Sequence, residues 1–353
     1  MAQQMDNILD MNTSSTNNSS RDLLAANQEG SLTVYKLLYE YVLPIIVLVG
    51  LVGNLTSIYL ILVDKQMRKV SSSVFLMSVL AADTGMLVSL LLVWIESLGY
   101  PLNHLPTVCR INVYLTYVFG FLSIWYVVCI TIETFITICH PTQIKQMCTL
   151  FRARSVSVML LVTALVLYVV APIITEVQSV PYSNATKQCQ PIAKYGDIHQ
   201  LVFYADLVLT LFVPFVLLIT LLTFMTVAIV RSVKRKQKRT IKNEDGNQSS
   251  IGQLPQVRVA KMLYILSVSV VFLNIPSHGF KLKSIISGIT YLSDAESLTH
   301  LVLLFVSYTS FSVKFFICAA CSKNFRKLID QHCCCNRVTR YHTVPQHTIE
   351  TAT

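Results

Sequence analysis

The sequence predicts an all-α membrane protein, a bundle of seven transmembrane helices followed by a short amphipathic helix at the membrane interface. Of its 353 residues, 53% are hydrophobic and only 13% are charged, whereas about a quarter of the residues of a soluble domain are charged. Seven apolar runs are each long enough, at about 1.5 Å per residue, to cross a hydrocarbon core about 30 Å thick. The alternating segments of about ten residues that build a transmembrane β-barrel are absent.

The positions of the runs also predict an orientation. The runs are Tyr41–Val63, Val74–Ile95, Ile111–Cys139, Ser155–Thr175, Leu201–Val230, Met262–Phe280 and Leu298–Ala320. The segments on one side of the membrane carry 20 Lys and Arg residues and those on the other side carry seven. Because cytoplasmic loops retain basic residues, we expect the N-terminus outside the cell and the C-terminus inside. The net charge of +10 then indicates attraction to the lipid bilayer, and no nucleic-acid partner is expected.

The segments outside the bundle have their own compositions. We expect residues 1–38 to be a disordered extracellular N-terminus, 39–320 the bundle, 321–335 an amphipathic helix with a cysteine cluster, and 336–353 a disordered cytoplasmic tail. Glycosylation sequons begin at four positions on the expected outer side, namely Asn12, Asn17, Asn18 and Asn184. The first helix would act as its own signal anchor, since no cleavable signal peptide precedes it.

The cysteines divide between the two sides of the membrane. Only Cys109 and Cys189 face the expected oxidising side, so we expect them to form a disulfide, with two unpaired thiols as the alternative. Cys333, Cys334 and Cys335 directly follow the amphipathic segment. That placement favours palmitoylation, and metal binding is the weaker alternative because three consecutive thiols fit a tetrahedral site poorly. We expect neither a resident metal nor a cofactor.

Several short motifs occur in order along the runs. They are Gly53-Asn54, LAAD ending at Asp83, Cys109, the frame ITIETFITICHP, Pro214, Pro276 and SKNFRKL at Ser322–Leu328. With these motifs the chain resembles the rhodopsin-like G-protein-coupled receptors of peptide-receptor type over nearly all of Tyr39 to Cys335. The resemblance implies a plasma-membrane receptor and no enzyme activity. It also implies an extracellular ligand, and a heterotrimeric G protein or arrestin as cytoplasmic partners.

The chain departs from this family at positions that carry activation. The family's arginine after Glu133 is Thr134, the tyrosine of its helix five is Leu222, the tryptophan of helix six is Asn274 and the last tyrosine of helix seven is Cys318. A threonine has neither the reach nor the planar fork of donors of an arginine. We therefore expect weak or rewired G-protein coupling, with Glu133 at the aqueous cytoplasmic edge or paired with Arg152 or Arg154.

Two charged residues fall inside the membrane at positions that the resemblance brings together. Asp83 lies in the second run and Lys314 in the seventh, where the family has an acid and an asparagine around a sodium ion. We expect an ion pair, because each charge offsets the desolvation of the other. A lysine that extends to the inner interface is the alternative. A retinal-binding opsin is disfavoured, because the family's retinal lysine corresponds to Tyr308.

The outer half of the bundle is the expected ligand site. The candidate residues there are Glu96, Thr116, Tyr117, Asp206, Ser277, His278, Lys281, Leu304 and Tyr308. An amine ligand is disfavoured, since amine receptors of the family need an acid at the position of Thr116. The mixture of charges and tyrosines favours a neuropeptide-like ligand. The alternatives are a non-signalling binding or decoy receptor and, more distantly, a transporter or channel, although no repeated halves are present.

Overall fold

The computed structural model describes residues 30–179, 187–242, 255–286 and 294–332, which are helical apart from one β-hairpin and the connecting turns. The first half contains α1 (Gly30–Val63), α2 (Ser71–Ser97), α3 (Pro106–Cys139) and α4 (Leu150–Leu167), followed by antiparallel strands β1 (Thr175–Ser179) and β2 (Lys187–Pro191).

The second half contains four further helical elements. α5 comprises Gly196–Asp206, a π-helical turn at Leu207–Phe212 and Val213–Lys242, and α6 is Pro255–Ile286. α7 comprises Asp294–Tyr308, a 3-10 turn at Thr309–Phe311 and Lys314–Cys321, and α8 is Lys323–His332. Among the described residues, six helices are long and apolar enough to cross a membrane, and the bent α7 makes seven if it is one span. The expected seven-helix bundle is therefore confirmed.

Several helix ends differ from the sequence-based boundaries, and two of these differences bear on the fold. α1 begins at Gly30, before the boundary expected at residue 39, and Tyr35 on its first turns is buried in a cluster with Leu43 and Phe305. α4 ends at Leu167 and not at Thr175. Pro172 disfavours continuation of the helix, because its ring would clash with the carbonyl of Tyr168 four residues earlier and it has no N–H to donate. The apolar residues after Leu167 form turns that lead into β1.

α3 forms the centre of the bundle and packs against α2, α4, α5 and α6. The main core between these helices is apolar and includes the fully buried Leu80, Ile130 and Leu218. Many apolar side chains on the outside are exposed, such as Phe272 at 76%. A soluble protein rarely exposes so much apolar surface, whereas a membrane protein faces lipid there.

The approach of α1 to α7 is close because of a glycine. A Cβ atom at Gly53 would lie 2.9 Å from the Cβ of Phe315, so a larger residue would separate the helices. Next to it, the Asn54 side chain donates to the carbonyl of Phe311 at 3.0 Å. The Lys314 ammonium donates to the carbonyl of Ser310 at 3.0 Å. These two side chains stabilise the 50° bend of α7, which forms without a proline in the bent segment.

Candidate ligand-binding and coupling sites

One end of the bundle, which we call the disulfide end, is closed by the bond between Cys109 at the start of α3 and Cys189 in β2. The pairing expected from the sequence is present, and Cys109 is fully buried. Arg110 adds a second link, since its Nε donates to the backbone carbonyl of Thr175 at 3.2 Å. Together these contacts hold the β-hairpin against the end of α3.

A cavity of about 270 Å³, here called the Lys281 cavity, opens between α5, α6 and α7 at the disulfide end. Its lining residues are Phe203, Asp206, Leu207, Thr210, Leu211, His278, Phe280, Lys281, Ser284 and His300. The expected site residues Asp206, His278 and Lys281 thus meet here. Asp206 and Lys281 share the cavity without a direct ion pair, as judged over the described part of the chain.

A second cavity of about 400 Å³, here called the Thr116 cavity, lies between α3, the β-hairpin and α5. It is lined by Asn112, Val113, Thr116, Tyr117, Ala171, Ile174, Thr175, Cys189, Pro191, His199 and Val202. Thr116 donates to the Asn112 carbonyl within its own helix at 2.8 Å, while the Asn112 side-chain oxygen is buried without a partner among the described residues. The Asn112 oxygen is therefore a hydrogen-bond acceptor without a partner in the described ranges, next to a largely apolar cavity.

Tyr168, which the sequence did not single out, connects the two cavities. Its hydroxyl donates to the Asp206 carboxylate at 2.6 Å, and its ring stacks on Tyr117 at 5.3 Å between centroids. Asp206 lines the Lys281 cavity and Tyr117 lines the Thr116 cavity. A tyrosine in an apolar run could have pointed to this role, because a buried tyrosine hydroxyl needs a hydrogen-bond partner. The identity of the partner, however, depends on the fold. His300 was also missed, and it faces Lys281 from α7.

The other candidate ligand residues lie outside both cavities. Glu96 accepts a hydrogen bond from Asn103 at 2.5 Å and lies 3.8 Å from the His104 ring nitrogen, so it holds the loop after α2. Ser277 is 1% exposed, and its hydroxyl has no partner in the described part of the chain. Leu304 and Tyr308 pack in the apolar cluster with α1. Helical spacing placed these residues at the disulfide end of the bundle but did not predict which of their side chains reach a cavity.

In the middle of the bundle, the Lys314 ammonium contacts the Asp83 carboxylate, and the two side chains are 1% and 0% exposed. Ser123 donates to the other carboxylate oxygen of Asp83 at 2.6 Å. With the Ser310 carbonyl as a further acceptor of Lys314, both charges have several partners. This burial excludes the alternative in which Lys314 extends to the interface.

The opposite end of the bundle, here called the Glu133 end, differs from the expectation. Glu133 is only 6% exposed and forms no ion pair with Arg152 or Arg154. Its carboxyl group instead faces the hydroxyls of Ser71 and Ser72 at the start of α2, and one oxygen has no partner among the described residues. The expected position at an aqueous edge was wrong, because α2 packs over this part of α3.

A small cavity of about 90 Å³ lies beside Thr134 at this end. Thr134 is 1% exposed and donates to the Ile130 carbonyl of its own helix at 2.7 Å, so its hydroxyl proton is used within α3. Cys148, in the loop before α4, also lines the cavity. Burial, aided by the charge of Glu133, raises the pKa of the Cys148 thiol to about 11, so the thiol is protonated at neutral pH.

The link between α3 and α6 lies one turn deeper than Thr134. Thr131 donates to the Ser267 hydroxyl at 2.8 Å, and both side chains are fully buried. Leu222 and Cys318 are buried in the main apolar core, where they contribute apolar packing. Asn274 accepts a hydrogen bond from Ser307 of α7 at 2.5 Å. The contacts that hold these helices together are therefore neutral hydrogen bonds and apolar packing.

Two groups of expected modification sites lie outside the described residues. These are the sequons at Asn12, Asn17, Asn18 and Asn184 and the cysteines Cys333, Cys334 and Cys335. Within the described ranges, no three His, Cys, Asp or Glu side chains gather into a possible metal site.

Comparison with known proteins agrees with this architecture. The family model described as "7 transmembrane receptor (rhodopsin family)" matches residues 53–313. The chain therefore belongs to the rhodopsin family of seven-transmembrane receptors, which are receptors and not enzymes, and the resemblance stated from the motifs is confirmed.

Similar proteins include receptors for peptides. The chain is 34% identical over 110 residues to neuropeptide receptor 15 of Caenorhabditis elegans, covering 30% of this chain and 31% of that protein. It is 31% identical over 135 residues to the thyrotropin-releasing hormone receptor of Gallus gallus, covering 38% and 34%. It is 25% identical over 145 residues to the neuromedin U receptor homolog nmur-2 of C. elegans, covering 40% and 36%. Each match spans about a third of the relative's length.

Proposed function

We propose that the chain is a plasma-membrane receptor for a neuropeptide-like ligand, with its N-terminus and disulfide end outside the cell. The observation that carries the proposal is the pair of cavities under the disulfide-linked hairpin, joined by Tyr168 and together containing an acid, a lysine and three histidines. A mainly apolar cavity with a few polar groups is the usual form of a ligand site. The names of the similar receptors support a peptide.

The lining of the cavities favours a peptide over the other ligands of the family. Thr116 stands where an amine receptor needs an acid, and its hydroxyl is already directed to its own backbone. The retinal interpretation needs a lysine at the position of Tyr308, where the family's retinal lysine lies. Lys314 is instead bound to Asp83 and Ser310, and Tyr308 is packed against Phe305 with 5.6 Å between ring centroids. A peptide with separate polar and apolar groups fits two adjoining cavities.

The proposal includes weak coupling to a heterotrimeric G protein, while arrestin recruitment is retained. In the family, an arginine changes partners between states. Here Thr134 is turned towards its own helix, and neither Leu222 nor Cys318 offers the hydroxyl that would receive a guanidinium. The same observation favours the second candidate function, a ligand-binding receptor that does not signal.

The binding half of the proposal is tested by blocking one cavity. The intact protein is expressed in cells with an N-terminal epitope and screened against a library of labelled short peptides. Thr116→Trp fills part of the Thr116 cavity and should abolish binding of any peptide that binds the wild type. Thr220→Trp, on an exposed part of α5, is the matched control and should bind normally.

The possible results test the orientation of the chain and the location of the peptide site separately. Antibody labelling of the epitope on intact cells supports the orientation, and labelling only after permeabilisation contradicts it. If no peptide binds, or if Thr116→Trp binds as well as Thr220→Trp, the cavities are not the peptide site.

A further inference from the structure

The Lys281 cavity contains more hydrogen-bond donors than acceptors that are free to meet them. We propose that it binds a carboxylate of the ligand, held by Lys281 together with His278 and His300. The inference rests on the proposed function, since it specifies which chemical group of the peptide enters this cavity.

The acid in the cavity already has a partner. Asp206 accepts the Tyr168 hydroxyl at 2.6 Å, and the Thr210 side chain also lies against its carboxyl group. Lys281, in contrast, has no hydrogen-bond or ion-pair partner in the described part of the chain. A ligand cation would compete with the Tyr168 hydroxyl for Asp206 and would be repelled by the Lys281 ammonium, whereas a ligand anion meets an ammonium whose hydrogen-bond donors are unused among the described residues.

The two imidazoles provide the remaining donors. Nδ1 of His278 and Nε2 of His300 are buried without partners among the described residues. A neutral imidazole carries its single N–H on either nitrogen, and because neither of these buried atoms has an acceptor in the described part of the chain, the N–H of each ring can lie on the other nitrogen and meet a ligand acceptor. The His278 ring lies edge-on to Phe215 at 4.6 Å, and the His300 ring stacks on Phe280 at 5.4 Å. These contacts fix the ring planes before any ligand binds.

The surroundings strengthen this recognition. Leu207, Leu211 and Phe280 line the same cavity, and electrostatic attraction is stronger where apolar walls exclude water. A carboxylate has two oxygens that each accept more than one hydrogen bond, so it matches an ammonium on α6 and imidazoles on α6 and α7. An amide in its place would leave the lysine charge unpaired.

The test uses pairs of synthetic peptides with the full-length receptor. One arm compares free C-terminal acids with their C-terminal amides, and the other compares Asp or Glu side chains with Asn or Gln. We expect one arm to show binding about ten- to a hundredfold tighter for the carboxylate member. That arm identifies whether the bound carboxylate is the peptide's C-terminus or a side chain. Lys281→Gln should abolish this preference and Lys281→Arg should retain part of it.

The matched control is Lys283→Gln on the same helix. Lys283 lies outside the cavity lining, is 59% exposed and pairs with Glu296 at 3.3 Å, so this variant should keep the full preference. Peptide binding with equal affinity for acid and amide members, or a preference that survives Lys281→Gln, overturns the carboxylate inference alone. The wild-type comparison decides the question even if Lys281→Gln does not reach the surface. Failure of every peptide to bind contradicts the peptide proposal itself.

Discussion

The buried pair of Asp83 and Lys314 makes the most specific prediction about stability. Lys314→Asn leaves the Asp83 carboxylate in the middle of the bundle without its cation, although Ser123 still donates to it at 2.6 Å. Asp83→Asn removes the carboxylate, so Lys314 loses its counter-charge while it keeps the Ser310 carbonyl as an acceptor at 3.0 Å. The double variant contains two neutral amides at these positions, so neither charge is stranded.

The structure sets the expected size of these effects. Removing one partner of a buried ion pair typically costs about 3–5 kcal/mol, because the other charge remains desolvated. Each charge here keeps one hydrogen bond, so we expect about 3 kcal/mol for each single variant, near the lower end of that range. The double variant should lose less than the sum of the singles by about 2–3 kcal/mol.

The assay is thermal unfolding of purified receptor in one detergent, together with surface abundance in cells. The exposed pair of Lys283 and Glu296 provides a control cycle, in which changing both residues to glutamine should change stability by at most about 1 kcal/mol. If the Asp83 and Lys314 singles behave like this control, or if the double variant equals the sum of its singles, the pair is not energetically coupled.

Three further predictions concern the same molecule. Because an ammonium already lies beside Asp83, replacing sodium by a large organic cation at constant ionic strength should leave ligand affinity unchanged; a sodium-dependent shift would contradict this. A non-reduced digest should yield the Cys109–Cys189 peptide pair, and removal of this link should cost about 2–4 kcal/mol; alkylation of both thiols without reduction would refute it. Thr134→Arg alone should raise G-protein activation little, while the triple variant with Leu222→Tyr and Cys318→Tyr should raise it more; equal activation by the two variants would show that the added hydroxyls have no role.

The sequence predicted the helices well where apolar length alone determines them. It failed at the end of α4, because the residues from Tyr168 to Ile174 are as apolar as those of the helix before them. Pro172 is the residue in this segment that indicates a turn. It also failed to predict the bend of α7, next to which Asn54 of a different helix donates to the Phe311 carbonyl. Contacts between distant segments have no local signature in one sequence.

The sites follow the same division. Asp83 and Lys314 could be paired in advance, because the family resemblance placed them side by side and two buried charges of opposite sign offset each other's desolvation. Glu133 was misplaced, because its burial depends on how α2 covers α3 and not on its own neighbours in sequence. The role of Tyr168 was missed for the same reason, since Asp206 is its partner only through the packing of α5 beside the end of α4.

The central claim is that this receptor binds a ligand normally while its Glu133 end couples weakly. The most direct test measures saturable peptide binding and G-protein activation on the same cells, with arrestin recruitment recorded in parallel. A family receptor that retains the arginine serves as the reference at equal surface density. We expect saturable binding with G-protein activation far below the reference. Activation equal to the reference at the same occupancy would contradict the account and would show that Thr134, with the link from Thr131 to Ser267, belongs to a different working relay.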